Sequence, residues 1–232
     1  MKTVKFQLTG NYGHFKIPYT NNNPLTYSFI TKPALIGLIG AVIGIERADF
    51  KRLFPILSVN LKYSLSINND FRKESISTYA CNFNNYDRDR PNRIPRPMEY
   101  IKNPNWTVYI TCVSDDIETN ELFENFIYNI ENEFFVWKPT LGIKQCDCDI
   151  TNIEISDALK FTGKFETKTF ITNLIDDYSD DIIYNDNIPT HQDDNWFNDP
   201  KKNKSVFFSD NGKFIKSVGD YYKFNDDIIV LI

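Results

Sequence analysis

Hydrophobic and polar residues alternate in two stretches of the N-terminal half, the pattern of half-buried β-strands. In residues 3–8, Val4, Phe6 and Leu8 fall on one face. Residues 55–67 alternate in the same way, with apolar positions from Leu57 to Ile67. Both stretches therefore predict strands. By similar reasoning, further strands are predicted over residues 106–113 and 143–155.

Two other segments have helical character. Residues 34–45 are apolar throughout and directly follow Pro33, a residue favoured in the first turn of a helix. Residues 122–130 carry apolar residues at helical spacing, after the acidic segment 115–121, whose charges suit a helix N-terminus. The first helix would carry one stripe of small residues that permits close packing against a sheet or a bound backbone. This stripe consists of Gly37, Gly40 and Gly44.

The predicted order of elements is β-α-β, a long insertion over residues 68–105, and again β-α-β. This is the order of the split, ferredoxin-like arrangement, an antiparallel sheet with two helices on one side. We therefore expect an α+β fold, with a ferredoxin-like domain in residues 1–155. Residues 156–232 would form a β-rich, acidic C-terminal extension. Its strand candidates are 161–172, 205–209, 213–218, 221–224 and 228–232.

Charge is distributed unevenly along the chain. The 232 residues carry a formal net charge of −5, which by itself argues against nucleic acid as a partner. Residues 1–105, however, hold 15 Lys and Arg against 7 Asp and Glu, and the remainder holds 11 against 24. This asymmetry predicts a basic functional face in the N-terminal half. Residues 176–199 hold eight Asp and no Lys or Arg, which predicts a solvated loop.

The insertion 68–105 combines basic and aromatic residues. Hairpin loops usually have about 2–5 residues. A connection as long as this one therefore normally has a function or is disordered. Arginine offers forked donors to phosphates, and aromatic rings stack on unpaired bases. We therefore expect contact with RNA; the alternatives are charges that only aid solubility, or protein docking. The basic residues are Arg72, Lys73, Arg88, Arg90, Arg93, Arg96 and Lys102.

Candidate catalytic and metal-binding residues are few. His14, in a glycine-flanked loop beside Tyr12 and Lys16, could act as the general acid or base of a metal-free ribonuclease, although a loop histidine more often only hydrogen-bonds. The sequence has two histidines and four cysteines without a CxxC pair, so we predict buried, reduced thiols and no metal site. Nucleotide-binding glycine motifs and the GxSxG and HExxH motifs do not occur, and no cofactor is predicted.

The N-terminal residues 1–6 alternate polar and apolar and lack the apolar core of a signal peptide. The longest apolar run, residues 34–45, is too short to span a bilayer. We therefore expect a cytoplasmic protein without a membrane partner.

The N-terminal part of the chain resembles the Cas5 family over residues 10–18, 26–29 and 32–44. Members of this family belong to the RAMP superfamily and are subunits of type I CRISPR Cascade complexes. The N-terminal pattern of the family consists of a small-residue loop, a Phe-basic-x-Pro motif and a glycine-containing helix. Residues 93–104 and the turn at 139–144 resemble later motifs of the family. The motifs occur in order through residues 1–155.

The resemblance implies an RRM-like, ferredoxin-like domain with a protruding thumb hairpin in residues 68–105. It also implies a role: capping the 5′ handle of crRNA, contacting the Cascade backbone subunit and large subunit, and meeting target DNA only indirectly. Gly13, Gly37, Gly40 and Gly142 would pack closely against backbone or handle. The RNA-binding residues carried over are Tyr12, His14, Phe15, Lys16, Lys32, Arg72, Lys73, Arg88, Arg90, Arg93, Arg96, Lys138 and Lys144.

The resemblance also bears on catalysis. Members of the type I-C branch cleave precursor crRNA with a Tyr, Lys and His set, but residues 1–155 contain no histidine apart from His14. Lys16 stands where many members have arginine. We therefore predict a non-catalytic, type I-B-like subunit. The alternative is a metal-independent precursor-crRNA endoribonuclease.

Overall fold

A computed structural model describes residues 1–81, 93–174, 183–194 and 200–232. Its helices are α1 (Lys32–Ile43), α2 (Arg47–Asn60) and α3 (Ile117–Glu131), with a short 3-10 helix at Pro200–Lys202. Its strands are β1 (Lys2–Thr9), β2 (Tyr12–Gly13), β3 (Leu61–Ile67), β4 (Lys73–Cys81), β5 (Arg93–Lys102), β6 (Asn105–Cys112), β7 (Asp149–Thr167), β8 (Tyr184–Ile188), β9 (Lys204–Phe208), β10 (Ile215–Phe224) and β11 (Asp227–Ile229).

A six-stranded sheet organises the molecule. Its order is β11-β10-β7-β1-β6-β3, and every neighbouring pair is antiparallel. Helices α1 and α2 connect β1 to β3, and α3 connects β6 to β7. A three-stranded sheet, β2-β5-β4, and the β8-β9 pair complete the described part. The expectation of a mixed fold with helices and an antiparallel sheet is confirmed.

The alternation in β1 creates the helix-facing side of this sheet. Val4, Phe6 and Leu8 are fully buried, as predicted. Phe6 stands opposite Val108 of β6, and its ring meets Phe126 of α3 edge-on, with ring centroids 5.8 Å apart. The predicted apolar face of β1 is therefore the face on which α3 packs.

The strand predicted over residues 55–67 is wrong in its first half, because β3 begins only at Leu61. Residues 47–60 form α2, with Pro55 inside the helix despite the hydrogen bond that proline removes. The side chains follow helical rather than strand spacing, and Val59, at an apolar position of the presumed strand, is 63% exposed. The buried face of α2 consists of Phe50, Leu53, Phe54 and Leu57.

Strand β7 is much longer than predicted and begins later than residue 143. Residues 149–157 pair with β1, and residues 158–167 pair with β10. The boundary expected at residue 155 thus falls inside a single continuous strand. Residues 143–148 instead form a turn that buries Cys146 and Cys148.

Part of the acidic stretch 176–199 is ordered rather than a solvated loop. Residues 184–188 form β8, which pairs with β9, and Ile188 is fully buried. The carboxylate of Asp186 accepts a hydrogen bond from the Ser28 N–H at 3.0 Å. An aspartate in this stretch therefore anchors the segment that precedes α1. Residues 175–182 and 195–199 lie outside the described part of the chain.

Candidate nucleic-acid interface

The insertion forms an antiparallel hairpin. Strands β4 and β5 pair from Lys73 opposite Ile101 to Cys81 opposite Arg93, and residues 82–92 lie outside the described part. At its inner end, β5 also pairs with β2, where Tyr12 stands opposite Lys102. The hairpin base is thereby joined to the glycine-flanked loop.

A turn at residues 139–145 joins the same place. The His14 N–H donates to the Leu141 carbonyl at 3.0 Å, and the Leu141 N–H donates to the Cys146 carbonyl at 2.7 Å. Gly142 has a φ of +92°, and a Cβ there would collide with the His14 carbonyl. Glycine is therefore required by both backbone conformation and close approach. We call this convergence of residues 10–16, the β4–β5 base and residues 139–145 the hairpin junction.

His14 lies inside the hairpin junction rather than on its surface. Its side chain is 2% exposed, and Nδ1–H donates to the Glu99 carbonyl at 2.7 Å. Burial lowers the pKa of His14, which favours the neutral ring. The ring tilts against Tyr100 at 5.7 Å, and Tyr100 meets Tyr12 edge-on at 5.8 Å. His14 thus connects the loop to β5.

Phe15 and Lys16 point to different environments. Phe15 is 4% exposed, and its ring packs on Trp106 at 5.9 Å. Lys16 is exposed, and its ammonium donates to the Asn21 side chain at 3.1 Å. Of these two predicted RNA-binding residues, only Lys16 has a side chain at the surface.

Several basic residues of the hairpin are paired with acids. Lys73 donates to the Thr26 carbonyl at 2.7 Å and lies 3.5 Å from the Glu99 carboxylate. Lys102 bonds to Glu74 at 2.5 Å, and this interaction raises its pKa. Glu99 also accepts the Thr26 N–H at 3.0 Å. Glu99 thus fastens the loop to the hairpin, a role that the charge pattern of the sequence does not indicate.

Two further arginines of the insertion have exposed side chains. Arg72 is exposed and lies 3.2 Å from the Asp70 carboxylate, and Arg96 is exposed. Arg88 and Arg90 fall outside the described residues, and only the backbone of Arg93 is described.

One lysine directly precedes the 139–145 turn and another lies within it, and their ion pairing differs. Lys138 forms an ion pair with Asp147 at 2.6 Å, which raises its pKa. Lys144 is exposed and makes no ion pair with any residue that the structure describes. Gly13, in the adjoining loop, has room for a Cβ in ordinary contact with Leu141.

The predicted glycine stripe of α1 has three unlike environments. A Cβ on Gly37 would meet nothing within 4 Å, whereas one on Gly40 would run into the Phe50 ring. Gly44 is the left-handed C-cap of α1. Lys32, at the start of the helix, is buried at 5% exposure rather than available on the surface.

The described ranges, residues 1–81, 93–174, 183–194 and 200–232, contain neither a metal-binding cluster nor a membrane-spanning helix. No group of three or more His, Cys, Asp or Glu side chains there is close enough to hold a metal ion. No helix within them combines the length and apolarity needed to cross a membrane.

The solved structures that are similar to this fold include two CRISPR proteins. A CRISPR protein from Archaeoglobus fulgidus has a TM-score of 0.60 at 9% sequence identity, over 99% of this chain and 98% of that chain. A chain of a CRISPR RNA-guided surveillance complex has a TM-score of 0.55 at 14% identity, over 94% and 91%. Comparison with curated protein sequences gives no match. The architecture is therefore one that CRISPR proteins adopt.

The family follows from the sequence match. The model of the CRISPR-associated protein family (Cas_Cas5) matches residues 3–191. This chain belongs to the Cas5 family, as the sequence motifs indicated.

Proposed function

We propose that this chain is a non-catalytic, RNA-binding subunit of a CRISPR Cascade surveillance complex that caps the 5′ handle of crRNA. The observation that carries the proposal is the hairpin junction, which joins three separate family-like segments through β2–β5 pairing and the His14–Leu141 hydrogen bond. Family membership and the fold shared with a chain of an RNA-guided surveillance complex support it.

The sheet supports a ferredoxin-like frame for this function. The strands β7-β1-β6-β3 are adjacent and antiparallel in that order, with one helical connection between β1 and β3 and another between β6 and β7. This is the connectivity of the split βαβ arrangement, and the β4–β5 hairpin is inserted between its two halves. This arrangement supports the proposal that the hairpin acts as the thumb.

Unequal contributions to RNA binding follow from the ion pairs. Lys144 is exposed and has no acidic partner among the described residues, whereas Lys138 must leave Asp147 before it can meet a phosphate. Each phosphate neutralised on single-stranded RNA contributes about 0.7 to the slope of log K against log salt. Lys144→Gln should therefore lower the slope by about 0.7, and Lys138→Gln by less.

The test is fluorescence anisotropy of handle RNA from the associated repeat, titrated at several salt concentrations. Arg72→Gln and Arg96→Gln, and a triple change of Arg88, Arg90 and Arg93, should lower both affinity and slope. Lys51→Gln, an exposed lysine on α2, is the matched control and should change neither. Unchanged slopes in all hairpin variants would remove the hairpin from the RNA path.

The proposed partners are the backbone subunit and the large subunit of the complex. Co-expression with these subunits and a crRNA, followed by affinity purification through the large subunit, tests this assignment. We expect this chain to co-purify only as part of the RNA-containing assembly. Its recovery in equal amount without crRNA would instead support a module that docks on protein alone.

The absence of catalysis is proposed because His14 is buried and its Nδ1–H is engaged by the Glu99 carbonyl. The ring would have to leave this site to transfer a proton to RNA. Purified protein should therefore leave repeat RNA intact in the presence of EDTA. Specific cleavage that is lost in both His14→Ala and His14→Asn would reverse the assignment, because asparagine can retain the donor to Glu99.

A further inference from the structure

The second half of β7 and the whole of β10 form a two-stranded ribbon. Residues 158–167 pair with residues 215–224 without a register shift. Residues 159–162 and 164 are exposed, so both faces of β7 are open there. We call this pair of strands the β7–β10 ribbon. It lies outside the hairpin junction and after the segments that carry the family resemblance.

The alternation of side chains places the acidic residues of the ribbon on one face. Glu166 lies on the same face as Lys164, and Asp220, opposite Thr162, lies there too. Asp220 forms an ion pair with Lys160 at 2.6 Å. The other face therefore carries neither of the two acidic residues of the ribbon.

That other face is basic. It carries Lys223, which is exposed and makes no ion pair with any residue that the structure describes. Asp157, two residues before the exposed Leu159 on the same face of β7, forms an ion pair with the N-terminal amine at 3.3 Å. The charge of Lys223 is therefore left to attract an anion.

Three aromatic rings lie on the same face as Lys223. Phe161 and Tyr221 stand opposite each other, and their rings stack with centroids 5.7 Å apart and planes at 21°. Tyr221 also packs at 4.7 Å against Phe165, which is 8% exposed and holds it in place, whereas Phe161 is 39% exposed. The Lys223 ammonium lies 5.1 Å from the centroid of the Phe161 ring, a cation–π contact. We call this surface the ring face.

Next to these rings the ring face lacks side chains. Gly163 and Gly219 stand opposite each other, one step along the face from Phe161. A Cβ on Gly163 would meet nothing within 4 Å, and one on Gly219 would meet only the Asn173 side-chain nitrogen, at 3.7 Å. Glycine inside a strand often marks a place where a ligand approaches the backbone closely. There is therefore room for a flat group to lie on bare backbone beside the Phe161 ring.

We propose that the ring face binds single-stranded nucleic acid, with one unpaired base stacked on Phe161 and an adjacent phosphate held by Lys223. Proteins that bind single strands without reading their sequence combine exposed aromatic rings with basic groups in this way. An acidic protein segment would match Lys223, but it would leave the flat space beside Phe161 unused. The inference is independent of handle capping, because no residue of the ring face belongs to the hairpin junction.

The first arm of the test measures stacking with the full chain. Fluorescence anisotropy follows binding of labelled oligothymidine and oligouridine, each of about 15 nucleotides. Phe161→Ala should weaken binding of at least one probe by about 5-fold or more, and Phe161→Trp, which keeps a stacking surface, should not weaken it. The melting temperature of each variant shows that it is folded. Unchanged affinity of Phe161→Ala for both probes would overturn the proposal.

The second arm measures the phosphate contact. Lys223→Gln should lower the slope of log K against log salt by about 0.7. Lys164→Gln is the matched control, because Lys164 is an exposed lysine of the same ribbon, on the opposite face, and has no ion pair with a described residue. Its slope should stay close to that of the wild type. Equal losses in both lysine variants would show attraction by net charge alone and would overturn the assignment of the phosphate to the ring face.

The third arm identifies the strand and separates this inference from the proposed function. If Phe161→Ala also weakens binding of handle RNA, the ring face holds part of the crRNA. If it weakens binding of oligothymidine but not of handle RNA, the ring face holds a different strand. Failure of handle RNA to bind, with oligothymidine still bound through Phe161, would reject the proposed function and leave this site standing.

Discussion

Two glycines one turn apart in α1 should respond in opposite directions to the same substitution. An alanine Cβ at Gly40 would lie 2.5 Å from Cε2 and 2.8 Å from Cε1 of Phe50, and closer still to Cζ. At Gly37 the same atom would meet nothing within 4 Å. Alanine is favoured over glycine inside a helix by about 1 kcal/mol. Gly37→Ala should therefore raise the free energy of unfolding by about 1 kcal/mol.

Gly40→Ala should lower it instead. The Phe50 ring, 9% exposed and packed on Phe54 with ring centroids 5.0 Å apart, must leave its site. Loss of its burial costs about 1.5–3 kcal/mol, of which helix propensity offsets about 1. The net loss is about 0.5–2 kcal/mol. For a chain of this size, 1 kcal/mol corresponds to about 2–4 °C in melting temperature.

Thermal unfolding followed by circular dichroism at 222 nm measures both changes. Phe50→Leu supplies the control, because leucine lacks the three ring atoms that an alanine at position 40 would meet. In that background Gly40→Ala should become neutral or stabilising. A melting temperature that rises in both single variants, or a Gly40→Ala penalty that survives in the Phe50→Leu background, would refute the reasoning.

Two further predictions follow from burial, and a third follows from a left-handed backbone conformation. Because the folded-state pKa of Lys32, about 7, lies below its unfolded value, the unfolded chain binds more protons between pH 7 and 9. The free energy of unfolding in urea, without phosphate, should rise over this range by up to about 1.4 kcal/mol per pH unit, and Lys32→Met should lack the rise. Burial raises the pKa of Cys146 to about 11 and of Cys148 to about 12, so iodoacetamide at pH 8 should label neither until urea is added, as mass spectrometry would show. Gly142→Ala forces a side chain into a left-handed conformation beside the His14 carbonyl and should lower the free energy of unfolding by at least about 2 kcal/mol, measured by urea titration.

The pattern of apolar and acidic residues along the chain correctly predicted β1, α1 and α3. The alternation in residues 3–8 identified β1 because one face of that strand is buried by α3. The continuous apolar run identified α1, which is covered by α2 and α3. The acidic segment 115–121 contains the N-cap and the first turn of α3, and Asp116 accepts the Thr119 N–H there at 3.0 Å.

The pattern of apolar and polar residues gave wrong predictions in two situations. In one, the same residues fit both strand and helix periodicity. In the other, the residue that holds a segment in place is distant in the sequence. Leu57 suits both a strand and the buried face of α2, and Pro55 argued against the helix that forms. Strand β8 was hidden in an acidic stretch because Asp186 is held by Ser28, 158 residues away. Exposure of Lys32 and His14 was equally unpredictable. His14, for example, packs against Tyr100 and donates to the Glu99 carbonyl of β5, which lies about 85 residues away in the sequence.

The pairing of β1 has a consequence for synthesis of the chain. Strand β1 has both of its neighbours, β6 and residues 149–157 of β7, more than 90 residues downstream in the chain. Translation proceeds at roughly 5–20 residues per second, so β1 waits about 7–30 s for its last partner to be synthesised. During that interval its apolar face and two open edges remain exposed to association with other chains. The nascent N-terminal part should therefore be a target for chaperones until residue 157 has left the ribosome.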